Sequence, residues 1–135
     1  MSITTAFSTI NWLAVLVAGV LHIVISLAWY QPVFFGKAWV KLSGKDMTPA
    51  MRWIPAGISA HLVCILALAV IVNLANATTV LEGIAAGVLV TVGFVATLLA
   101  GELVWEKIPF KLYLIRVGDQ LLTLCLGGVI LALWR

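Results

Sequence analysis

Arg116-Val117-Gly118-Asp119-Gln120 places a cation, an anion and an amide inside the apolar run from Leu112 to Trp134. Three further ionisable residues, His22, His61 and Glu102, also sit in apolar surroundings. Within hydrocarbon each such group costs on the order of a few kcal/mol unless it has a partner, faces water or reaches the interface. Arg116 and Asp119 are spaced i, i+3, on one helix face. Glu102 and Arg116 each lie seven residues from Pro109, so a hairpin turning there brings them to similar depth. The chemistry open to this set is a proton relay or a water-lined pocket for a polar solute, with Arg116 attracting an anionic group and Asp119 or a histidine moving protons. The structural alternative has Glu102 and Asp119 satisfying Arg116, while the histidines hydrogen-bond carbonyls freed by a kink at Pro55.

His22 and His61 on neighbouring spans also match bis-histidine ligation of a haem within a helix bundle. That reading ranks behind a hydrogen-bonding role, the usual one for a buried histidine. Cys64 and Cys125 fall inside apolar spans and read as small hydrophobic residues, and a zinc site would want more closely spaced ligands. No nucleophile elbow or pair of carboxylates with an evident cleft is present. The sequence therefore predicts no enzyme, no metal and no cofactor.

The elements that must position these residues follow from composition. The chain has 135 residues, 64% hydrophobic and 10% charged, with a mean hydropathy of +1.19, whereas soluble domains carry about 25% charged residues. Four apolar runs, Asn11–Tyr30, Trp53–Leu74, Gly83–Gly101 and Leu112–Trp134, each approach the ~20 residues that span ~30 Å of hydrocarbon as a helix. The expected fold is a single all-α membrane domain, an antiparallel bundle of four transmembrane helices. Lys37, Lys41, Lys45 and Arg52 lie between the first two runs and Lys107 and Lys111 between the last two, while Asn73–Val80 has no basic residue. The positive-inside rule makes the basic loops cytoplasmic and both termini external. The basic residues thus orient the chain and give no sign of nucleic-acid binding.

Ser2–Ile10 reads as a short polar tail. After Pro32, the residues Phe34, Phe35, Ala38, Trp39 and Leu42 share one helical arc beside Lys37, Lys41 and Lys45, which predicts a short interfacial helix between helices 1 and 2. Ser43-Gly44 ends it, and Thr48-Pro49 supplies an N-cap and first-turn proline for the next helix. In the third run Gly83, Gly87 and Gly93 belong to a stripe of small residues suited to close helix packing, against this chain or another copy.

Asn11-Trp12, then Trp29-Tyr30-Gln31-Pro32 and Phe35-Gly36-Lys37-Ala38-Trp39, with Gly118 and the ending Gly128–Trp134, resemble a family of small bacterial membrane proteins known as domain of unknown function 1761. The resemblance covers nearly the whole chain. It implies a four-helix integral protein of the bacterial cytoplasmic membrane without an assigned activity, and its motif residues are Trp29, Tyr30, Pro32, Gly36 and Trp39. The first expectation for function is a non-enzymatic membrane protein that associates through its helices with its own copies or a larger membrane complex, surrounded by membrane lipids. The second is a small transporter or channel for protons or a polar or anionic solute.

Overall fold

In the computed structural model, which describes residues 1–135, every regular element is helical. Four helical stretches are long and apolar enough to cross a membrane: Trp12–Trp29, Met51–Leu74, Val80–Trp105 and Phe110–Leu133. Only 28 of the 135 residues are buried against other protein atoms. Most of the leucines, valines and aromatic residues therefore face outward, as a hydrocarbon surrounding requires.

Helix α1 (Ile3–Ser8) replaces the predicted tail. The Ser2 hydroxyl caps it by accepting the Thr5 N–H. Asn73 Nδ2 fastens it by donating to the Ala6 carbonyl at 3.0 Å. Uncharged Ser/Thr composition had concealed a helix whose support comes from a residue 67 positions away. Helix α2 (Trp12–Trp29) opens where Asn11 Oδ1 accepts the N–H groups of Leu13 and Ala14. Helix α3 (Gly36–Ser43) ends at Gly44, whose φ of +68° is the left-handed conformation glycine adopts without strain.

The start of the second long stretch differs from expectation. Thr48-Pro49 begins no helix; the Thr48 N–H turns back to Asp46 Oδ1. A 3₁₀ turn (Met51–Trp53) instead leads into α4 (Ile54–Leu74), with Pro55 in its first turn. There the missing proline N–H has no intrahelical partner to lose, so Pro55 neither kinks the span nor frees a carbonyl within it.

The third stretch comprises α5 (Val80–Val90), a π-helical segment (Thr91–Ala96) and α6 (Thr97–Trp105). A capping box between Thr79 and Glu82 secures its start. Helix α7 (Phe110–Leu133) follows the turn at Pro109 and touches all the other long helices. Its tightest contact is with α5, where the backbones meet: a Cβ on Gly83 would lie 2.6 Å from the Gly128 carbonyl oxygen, and one on Gly87 2.6 Å from Cys125 Cα. Gly93 is a different case, since nothing lies within 4 Å of the place a Cβ would take. Ile65, Leu68, Val72 and Leu124 fill the space between α4 and α7 near the opposite end from the Pro109 turn.

A candidate polar site between α2, α4, α6 and α7

Asp119 lies on the face of α7 turned toward α2 and is 3% exposed. Ser26, one turn before the end of α2, donates to both its carboxylate oxygens, at 2.9 Å to Oδ1 and 3.1 Å to Oδ2. Gln120 Nε2 donates to Oδ2 at 3.1 Å. No cation lies within ion-pair distance of this carboxylate, since the chain's one salt bridge joins Arg116 to Glu102. The expected i, i+3 pairing of Arg116 with Asp119 is thus absent, and the hairpin pairing of Arg116 with Glu102 is present. Both partners of that pair are about one-quarter exposed, at 23% and 24%.

His22, one turn before Ser26 on α2, is 1% exposed, and neither ring nitrogen has a hydrogen-bond partner. Its ring meets His61 of α4 edge to face, with centroids 4.6 Å apart and planes at 74°. Contact this close leaves no slot for a porphyrin plane between the two rings, so they do not form a bis-histidine haem site. Nor do the histidines bond a carbonyl released by Pro55. The five ionisable residues thus divide in two: His22, His61 and Asp119 line the interior between α2, α4 and α7, while Glu102 and Arg116 close the α6–α7 side.

Ser26 belongs to the site and was missed by reading the sequence. A serine inside an apolar helix is common, and only its spacing of four from His22, on the same helical face, could have marked it. Gln120 joins the two halves. Its amide nitrogen serves Asp119, and its side chain also lines an open groove of about 450 Å³ with Tyr30, Val95, Leu98, Leu99 and Arg116.

The segment after α2 builds the floor of this region. Trp29 Nε1 donates to the Ile115 carbonyl at 3.1 Å, and its ring stacks on Phe35 with centroids 4.3 Å apart. The Phe35 N–H returns to the Trp29 carbonyl and the Gly36 N–H to that of Gln31, closing a tight turn around Pro32. A side chain on Gly36 would meet the backbone of that turn, with the Gln31 carbonyl carbon 2.9 Å from its Cβ. Trp39 contacts Tyr30 edge to face at 6.3 Å. A Cβ on Gly118 would come within 3.0 Å of the Trp29 ring. Trp29, Tyr30, Gly36, Trp39 and Gly118 therefore make one connected structure at the end of α2 nearest Asp119.

The family model described as "Protein of unknown function (DUF1761)" matches residues 13–132. The chain belongs to this family. The match takes in the turn around Pro32, the polar residues of α7 and all but the edges of the four long helices. Neither the curated proteins nor the solved structures searched contain a match to the chain. The family description names no reaction.

Proposed function

We propose that this chain is a small proton-handling transport protein of the bacterial cytoplasmic membrane, an antiparallel bundle of four transmembrane helices with both termini outside and α3 lying on the inner interface. The observation that carries the transport reading is His22. A buried imidazole with neither nitrogen hydrogen-bonded to another protein group costs on the order of 1–3 kcal/mol. Placed against a second imidazole and near a carboxylate that lacks a cation, it has the attributes of a group that takes up and passes on a proton. His61 is the more exposed ring and gives the proton a way in, with Asp119, held by Ser26 and Gln120, as the acidic partner.

The basic residues of the loops at 31–52 and 106–111, set against none between Asn73 and Val80, support the orientation. The aromatic and lysine arcs of α3 support its interfacial position.

The test is proton flux in liposomes carrying an internal pH dye and a potassium diffusion potential. Wild type is expected to acidify or alkalinise the lumen several-fold faster than empty liposomes, and Asp119→Asn and His22→Phe to return the rate to the empty level. Wild-type flux equal to that of empty liposomes refutes the reading.

Association with a second copy is supported by a separate observation. Gly83 and Gly87 are spent on α7 within the chain, whereas Gly93 and Gly101 face open space on the same helical stretch. A second helix would find its close approach there. Crosslinking in native membranes that yields monomer alone would exclude it.

A further inference from the structure

We propose that the groove between the end of α2, the π-helical segment, α6 and α7 binds a membrane phospholipid by its anionic phosphate. The proposal does not depend on proton movement. The groove, about 450 Å³, has three apolar lining residues on one side, Val95, Leu98 and Leu99, and three polar ones, Tyr30, Arg116 and Gln120, on the other. That division is the pattern of an amphiphile: an acyl chain along the leucines, a polar group at the arginine.

Hydrogen-bonding capacity points to an anion. Arg116 uses Nη1 on Glu102, which leaves Nη2 and Nε without a protein acceptor. The Tyr30 hydroxyl makes no hydrogen bond within the chain, and Gln120 Nε2 gives one of its two N–H groups to Asp119 and keeps the other. A guanidinium with free nitrogens and a phenol on one wall suit the oxygens of a phosphate, which guanidinium groups hold with two parallel bonds. Depth fits as well. Arg116 lies six residues into α7, ~9 Å along its axis at the helical rise, within reach of a headgroup by extension of its long side chain. The apolar wall opens outward, with Leu98 79% exposed, so the occupant arrives from the bilayer.

The test is native mass spectrometry of the full chain released from detergent micelles doped with equal amounts of phosphatidylglycerol and phosphatidylcholine. Wild type should retain phosphatidylglycerol about fivefold over phosphatidylcholine, the scale of one basic group acting on an anionic lipid. Leu98→Trp fills the groove from an exposed position and Tyr30→Phe removes one donor. The first should abolish the preference and the second should halve it or more, with both proteins still folded by circular dichroism. Lys37→Ala/Lys41→Ala, which alters the surface charge of α3, should leave it unchanged. Equal retention of both lipids, a preference that survives Leu98→Trp, or one lost with the α3 lysines overturns the proposal. So does competition by millimolar inorganic phosphate, which would identify a free solute as the ligand.

Discussion

Ser26 and Asp119, 93 residues apart in sequence, hold α2 and α7 together through one hydroxyl donating to both oxygens of a buried carboxylate. Ser26→Ala keeps the helix and removes the donor, leaving Asp119 with Gln120 alone. A loss of about 1–3 kcal/mol is expected, the cost of a buried acceptor deprived of its partner. Unfolding in mixed detergent, followed by circular dichroism, measures it. Ser26→Ala should also slow any proton flux, since the carboxylate is then held less firmly.

Gly83 and Gly128 bring two backbones into contact, and neither can give way. Gly83→Ala forces α5 and α7 apart and is expected to cost at least about 1–3 kcal/mol, seen as a lower midpoint in the same unfolding assay. Gly93→Ala meets only open space and should stay within about 0.5 kcal/mol of wild type. If Gly93→Ala leaves the fold intact yet removes a crosslinked dimer, the close approach at that glycine belongs to a second copy.

Arg116 and Glu102 are neither fully wet nor sealed. A double-mutant cycle with Arg116→Ala and Glu102→Ala should return a coupling of about 1 kcal/mol, at the upper end of exposed pairs and below the several kcal/mol lost when a sealed pair is broken. A coupling near zero would show that the two side chains part in the bilayer.

Trp29→Phe retains the stack on Phe35 and deletes the N–H that reaches the Ile115 carbonyl. A loss of about 1 kcal/mol is expected from that single bond. Intrinsic fluorescence of the remaining tryptophans, particularly Trp39 beside Tyr30, should change little if the turn around Pro32 holds.

Composition and periodicity made the four long helices legible, because only an apolar helix of that length satisfies its own backbone in hydrocarbon. Symmetric counting from Pro109 exposed the pairing of Glu102 with Arg116. The partner of Asp119 was hidden, since serine is small, uncharged and unremarkable within an apolar helix, and its role exists only once α2 lies against α7. Helix α1 was hidden for a similar reason: Asn73 supports it from another element. Pro55 misled because a proline at the first turn and one inside a span look the same until the helix boundary is known.

The small residues of the third stretch were expected to form one continuous stripe, and the π-helical segment explains why they do not. Counted at 100° per residue, Gly101 falls on the same side as Gly83, and Glu102 stands about 100° away from both. A wide turn takes in roughly one extra residue and rotates everything after it by about that angle. Gly101 is swung aside, Glu102 is brought round to Arg116, and Tyr113 of α7 fills in by donating its hydroxyl to the Ala96 carbonyl at 2.9 Å. Thr91–Ala96 therefore acts as a phase shifter within a single helix. Upstream of it the sequence is written for backbone contact, downstream for charge, and rewinding the segment as an ordinary α-helix of unchanged length would put Gly101 in the place of Glu102 at the α7 interface.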